Sequence, residues 1–249
     1  MLFKTDKFHT FERSSACFVV LLFSITFVYH KIVSPITKAV LFDFDLTLAD
    51  STVAIVECVQ YALRTMGFPV PTTEVIQQSI GLPLAETFIF VTSRRDPRLI
   101  ETFSDLFISH ADRVMVALTT FYPGTVALLR SLRSKGISTA IVSTKYRYRI
   151  EAILTQAGLQ SCVDVIIGGE DVKQHKPHPE GLLKALENLN VEAINALYIG
   201  DHPIDAQAAR GAGVAFVGAV TGLTDAKSWQ LLGQVALGNI NEVSLHINS

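Results

Sequence analysis

At 249 residues and a formal charge of −2, the chain has room for one α/β domain with a sizeable insertion or for two small domains, and the first is the favoured reading. Its Lys and Arg residues are scattered and form no basic stripe, which argues against nucleic acid as a partner. Cys17, Cys58 and Cys162 are odd in number, widely spaced and without a CxxC, so neither a disulfide framework nor a cysteine zinc site is expected, and a reducing, cytoplasmic compartment fits.

Residues 1–37 read as an N-terminal extension. Within it, Ala16 to Tyr29 (ACFVVLLFSITFVY) carries no charge and follows Lys4, Lys7 and Arg13, as the apolar part of a signal segment does. As a helix this stretch would span roughly 21 Å, short of a hydrocarbon core of about 30 Å. Extension through Val33 requires Lys31 to snorkel at the boundary. No A-x-A-like cleavage site follows, and the flanking charges are too balanced to orient a span. Two readings stay open: a membrane anchor through residues 14–33, or an upstream extension ahead of a native start near Pro35. Either leaves the rest of the chain whole.

The first strand is expected over Lys38 to Phe44 (KAVLFDF), an apolar run ending in acids. From Ser51 to about Met115 the periodicity turns helical, with helices expected near Val53–Met66, Thr72–Ile80, Leu84–Thr92 and Pro97–Val116. This stretch reads as an inserted helical cap, residues 53–116, within a core made of residues 38–52 and 117–249. Tyr122-Pro123-Gly124 marks the return to the core, with a helix through Ser134 that Gly136 stops. Strands near Ile137–Val142, Val163–Ile167, Ala196–Ile199 and Val214–Val217 then alternate with helices near Arg147–Gln156, Glu180–Leu189 and Ile204–Arg210, the last closed by Gly211. The segment from Thr224, containing Trp229, reads as a last amphipathic helix and tail. Such alternation predicts a Rossmann-like, doubly wound parallel sheet with helices on both faces, and ligands beyond the carboxyl ends of its strands.

Four polar motifs fall at those strand ends: DFDLTLADS from Asp43, VST ending at Thr144, HKPHP around Lys176, and GDHPID from Gly200 to Asp205. Asp43 and Asp45 are two apart past a strand, so both can face one side while Phe44 enters the core. Two carboxylates about 4 Å apart repel by roughly 4 kcal/mol at an effective dielectric near 20. Asp201 and Asp205 enlarge that repulsion. A hard divalent cation taking oxygen ligands answers it, magnesium rather than zinc, and Lys176 supplies further positive charge. Taken singly, each motif has a plainer reading as a surface turn, a helix cap or a solvated loop lysine. Their coincidence in order and position favours catalysis.

From Lys38 to Leu223 these motifs resemble the haloacid dehalogenase-like hydrolases, specifically phosphatases with a helical cap after the first strand. The resemblance implies that Asp43 attacks phosphorus to form an aspartyl-phosphate. Asp45 would protonate the leaving oxygen, later activate water, and offer its backbone carbonyl to Mg2+. Ser143 and the Thr144 backbone would bind phosphoryl oxygens, and Lys176 would clamp phosphate and Asp43. Asp201 would complete the metal shell and Asp205 would support that shell or Lys176, with Gly200 leaving room for the metal and its waters. Two departures stand out: Leu46 where the family most often has Gly, expected to alter the turn feeding the cap, and His202 after Asp201, read as a turn residue more than a substrate contact.

Asp45 argues against a dehalogenase proper, which lacks an acid there. The segment GLPLAETF from Gly81 resembles the substrate loop of phosphoglycolate phosphatase-like enzymes, and Arg94, Arg95, Arg98 and Arg113 are candidates to meet a substrate carboxylate. The expected activity is Mg2+-dependent hydrolysis of a small phosphorylated metabolite such as 2-phosphoglycolate. A pyrophosphatase, a sugar phosphomutase and, from another class, a membrane-tethered binding module without turnover are the alternatives.

Overall fold

The computed structural model describes residues 36–247, so the apolar segment 16–29 and the anchor reading of residues 14–33 lie outside it. No helix among the described residues is long and apolar enough to cross a membrane. In chain order, β1 (Ala39–Phe42) leads through β2 (Ala49–Asp50) into α1 (Thr52–Thr65), α2 (Thr73–Gln77), α3 (Leu84–Thr92) and α4 (Pro97–Leu118). After β3 (Thr120–Phe121) come α5 (Thr125–Ser134), β4 (Ser138–Val142), α6 (Arg147–Gln156), β5 (Val165–Ile167), α7 (Glu180–Leu189) and β6 (Ala196–Gly200). The chain continues with α8 (Pro203–Ala212), β7 (Ala215–Ala219), α9 (Ala226–Leu231) and β8 (Ala236–Leu237).

Six strands form one sheet in the order β5-β4-β1-β6-β7-β8, with every pairing parallel. This is the Rossmann-like α/β architecture that the alternating pattern predicts. β1 lies at its centre and is buried on both faces. Val40 and Phe42 pack toward α1, α5 and α6, while Ala39 and Leu41 pack with Leu182, Ala185 and Leu186 of α7 and Ala208 and Ala209 of α8. The period of two therefore splits one short strand between two hydrophobic layers. The central strand and its first neighbours end together, so their following loops meet at one edge.

Four features depart from the sequence reading. First, β2 and β3 form an antiparallel pair, Ala49 with Phe121 and Asp50 with Thr120, bracketing the four helices. Two residues per strand carry too little periodicity to be read. Second, α2 ends at Gln77, because Ser79 donates its hydroxyl hydrogen bond to the Ile76 carbonyl and Gly81 turns at φ +91°. Third, α8 runs through Gly211 and stops at Gly213, whose φ of +71° is left-handed. At Gly211 a Cβ would lie 3.1 Å from Pro179, so that glycine serves close packing.

Fourth, in the C-terminal segment the expected last helix is short and is followed by a sixth sheet strand rather than by a tail alone. Trp229 is fully buried under β7 and donates its indole N–H to the Ala219 carbonyl at 3.1 Å. Gly218 makes the space, since a Cβ there would sit 2.5 Å from the indole. Among the four inserted helices, α1 and α4 pack through Ile55, Cys58 and Val59 on one side and Phe103, Phe107 and Ala111 on the other. Asp96 caps α4 by accepting from the Arg98 N–H, and Pro97 occupies its first turn.

Candidate active site

The Asp43 N–H still donates to the Ile199 carbonyl at 2.8 Å, as though β1 continued, and its carboxylate therefore emerges between β1 and β6. Asp43 Oδ2 lies 2.8 Å from Lys176 Nζ, and Oδ1 accepts from the Phe44 N–H at 2.6 Å. Lys176, in the loop before α7, also lies 2.7 Å from Asp205 Oδ1 in the first turn of α8. Asp205 is completely buried and both its oxygens are engaged, Oδ1 by Lys176 and the Tyr198 hydroxyl and Oδ2 by the His202 N–H. Asp201, just past β6, accepts from the Thr47 hydroxyl at 3.0 Å. Asp45 has a separate partner, with Oδ1 3.1 Å from Lys145 Nζ.

Four carboxylates and two ammonium groups are thus buried together, leaving two negative charges uncompensated. Oxygens of Asp43, Asp201 and Asp205 lie within 4.8 Å of one another. The set suits an oxygen-seeking divalent cation in charge and in donor type. Burial pushes the Asp43 carboxyl up to about 6, against the opposing pull of Lys176. Burial, and then the charges of Asp205 and Asp43, drive Asp201 well above the usual carboxylate range. Lys176 is held above its ordinary range, because Asp205 and Asp43 outweigh the cost of burying its charge.

These directions fix a pH dependence. The metal-free fold binds more protons than the unfolded chain between pH 3.8 and about 6 through Asp43. That stabilising contribution is complete below the lower value and is lost as pH rises through the upper one. A cation in the cluster supersedes the proton, so the rise in Tm on adding Mg2+ is expected to be several degrees larger near about pH 7.5 than near about pH 5. Scanning calorimetry at both values checks this; equal gains would contradict the electrostatic account.

Ser143 is buried beyond β4, and its hydroxyl is 3.4 Å from the Lys145 N–H. The Thr144 hydroxyl donates to the Gly81 carbonyl at 3.1 Å, tying β4 to the GLPLAETF segment. The room that Gly200 leaves is filled by Asp205, not by a metal site: a Cβ there would lie 2.5 Å from that carboxylate. At Gly222 a Cβ would run into the Asp201 carboxylate. His202 is the N-cap of α8, its Nδ1 accepting from the Ile204 N–H, and burial lowers its proton affinity. Leu46 adopts φ +59°, a left-handed conformation costing about 1–2 kcal/mol for a residue with a Cβ, yet the turn closes through Leu46 N–H to Ala49 O at 2.8 Å.

Three participants escape the sequence reading. Lys145 follows Ser143 and Thr144 at the end of β4 but looks there like any helix-flanking lysine. Tyr198 reads as one more apolar strand residue, although its hydroxyl sits 3.0 Å from Asp205 and 3.3 Å from Lys176. Thr47 belongs to the DxDxT pattern, which was the available signal. Arg94, Arg95 and Arg98 are exposed, Arg113 packs with His110 and Tyr61, and none of the four lines the cleft beside Asp45.

Comparison with known proteins shows the family. The family pattern described as haloacid dehalogenase-like hydrolase matches residues 40–219. A phosphoglycolate phosphatase of Xanthomonas campestris pv. campestris is 30% identical over 197 residues, 78% of this chain and 89% of its own length. A Bacillus cereus protein named pyrophosphatase PpaX is 31% identical over 200 residues, 80% of this chain and 87% of its own. The crystal structure of a haloacid dehalogenase-like hydrolase from Bacteroides fragilis superposes with a TM-score of 0.79 at 38% identity, covering 83% of this chain and 99% of that one.

Proposed function

The chain belongs to the haloacid dehalogenase-like hydrolase family as a phosphatase, and from that premise we propose that it hydrolyses a small phosphomonoester through an aspartyl-phosphate on Asp43, with Mg2+ as cofactor. The observation that carries the reading is the contact of Lys176 with both Asp43 and Asp205, beside Asp201, at the carboxyl edge of β1. A nucleophile, its electrostatic clamp and the remaining carboxylates converge there from three separate loops.

In this reading Asp43, Asp201 and the Asp45 carbonyl hold Mg2+, and Asp205 is a support, since its oxygens are already engaged. The chemistry that Mg2+ supplies when bound is neutralisation of phosphoryl charge, which lets an anionic nucleophile approach. Lys176 adds to that neutralisation and orients Asp43. A carboxylate oxygen of Asp43 attacks phosphorus, the bond from phosphorus to the ester oxygen breaks, and Asp45 gives that oxygen its proton. Asp45 then takes a proton from water, whose oxygen attacks the acyl phosphate. Inorganic phosphate leaves and Asp43 is regenerated. Ser143 and the Thr144 backbone hold phosphoryl oxygens as charge moves onto them. Residues 53–116 act as a cap, and the Thr144–Gly81 contact joins it to the core.

The relatives' names supply the substrates to try first, 2-phosphoglycolate and then pyrophosphate. A binding module would need no acid beside the nucleophile. The test is phosphate release by the full chain. Excess chelator is expected to lower turnover at least about 100-fold, and added Mg2+ to restore it. Full activity in chelator would refute the metal's role, and absence of turnover on every ester would refute the hydrolase.

A further inference from the structure

A cleft opens beside Asp45, between the edge of the sheet and the inserted helices. Its walls are mainly apolar, including Ile55, Leu82, Leu84, Phe107 and Met115. Two cations face it, Lys145 and Arg149. Arg149 already has its counter-ion: Nε and Nη2 donate to Asp112 Oδ1 at 2.9 and 2.7 Å, and Nη2 also donates to the Ile108 carbonyl at 3.0 Å.

The Lys145 side chain is only 4% exposed, and its ammonium meets Asp45 Oδ1 at 3.1 Å, the weakly accepting Met115 Sδ at 3.3 Å and, 5.9 Å from its centroid, the face of the Phe44 ring. The contact with Asp45 is close but misaligned, and Asp45 Oδ1 is buried with no hydrogen bond. An ammonium has three donors, and leaving them unmet away from water is costly. The ammonium therefore has donor capacity beyond its contact with Asp45, and it lines the cleft.

Resting on the hydrolytic reading above, we propose that Lys145 selects the leaving group by binding an anionic group, carboxylate or phosphoryl, carried within two or three bonds of the scissile oxygen. The distance sets that reach. If Asp45 delivers its proton to the leaving oxygen, that oxygen lies against the same carboxylate that Lys145 touches. Around the anion the apolar walls accept a small uncharged body and offer no second free cation. The substrate class is accordingly the phosphate ester of a small 2-hydroxy acid, or a diphosphate, rather than a neutral alkyl or sugar phosphate.

The test compares kcat/KM of the full-length parent, Lys145→Met and Lys145→Arg on 2-phosphoglycolate, pyrophosphate and ethyl phosphate, the last an analogue of the first whose leaving group carries no charge. The parent should prefer an anionic substrate. Lys145→Met should lower the ratio of anionic to ethyl phosphate kcat/KM by about 100-fold, chiefly through KM, and Lys145→Arg should recover part of it. A fall confined to 2-phosphoglycolate identifies a carboxylate as the bound group, and one confined to pyrophosphate a phosphoryl group. Equal losses on all three substrates would overturn the proposal, leaving Lys145 as a support for Asp45. If Lys145→Met does not fold, the parent alone decides. Glycolate, unlike ethanol, must then compete with ethyl phosphate, and no inhibition overturns the proposal. Asp43→Asn separates the two levels: its retaining ethyl phosphate turnover would sink the hydrolytic reading itself, whereas its inactivity beside an unchanged ratio in Lys145→Met sinks only the selection by Lys145.

Discussion

Replacing Asp43 by Asn is expected to lower phosphate release at least about 10³-fold while leaving the protein folded. The substitution keeps shape and one acceptor oxygen, so one of the two donors now on Asp43, the Phe44 N–H or Lys176, keeps an acceptor. It removes the charge that must attack phosphorus. Burial already disfavours that charge, pushing Asp43 up to about 6, so near neutral pH the amide relieves a desolvation cost as it loses an ion pair. A Tm within a few degrees of the parent's is the expected companion result. Phosphate release and circular dichroism on one preparation decide it. Turnover within tenfold of the parent's would remove Asp43 from the nucleophile's role.

Lys176→Met is expected to damage both catalysis and stability. With the ammonium gone, Asp205 is left completely buried with only the Tyr198 hydroxyl and the His202 N–H as donors. Breaking a buried ion pair from one side costs about 3–5 kcal/mol, which for a chain of this size lowers Tm by roughly 6–20 °C. Turnover should fall at least about 10³-fold, since the clamp on Asp43 and on the phosphoryl group is lost together. The double variant Lys176→Met/Asp205→Asn removes the stranded charge as well. It should regain much of the lost stability and none of the activity. If it recovers neither, the destabilisation comes from packing rather than from an uncompensated carboxylate. Thermal melts of the parent, the two single variants and the double variant complete the cycle.

The alternation of apolar runs and amphipathic segments was enough to anticipate a parallel, doubly wound sheet. Fully buried strands must be apolar on both faces, and the helices covering them on one. Helix boundaries at Leu84–Thr92, Arg147–Gln156 and Glu180–Leu189 agree with the sequence reading, because a proline and a left-handed residue bound the first and third and left-handed Gly158 follows the second. The β2–β3 pair and β8 were illegible, since a two-residue strand is defined by its partner and not by its own pattern. Gly211 and Gly213 show the same limit: either could end α8, and the contact with Pro179 assigns packing to the first and the stop to the second.

Sequence by itself determined the fold class and the positions of Asp43, Asp45, Ser143, Thr144, Lys176, Asp201 and Asp205, because polar residues at the ends of successive apolar runs are placed by chain order alone. Tertiary structure decided who touches whom. It gave Asp205 to Lys176 and Tyr198, filled the space at Gly200 with a carboxylate, paired Asp45 with Lys145, and turned the insertion's exposed arginines away from the cleft. Those outcomes depend on distances of about 3 Å between residues up to 154 apart in the chain. Burial then sets the energetic weight of each contact, and burial belongs to the packed whole rather than to any local run of residues.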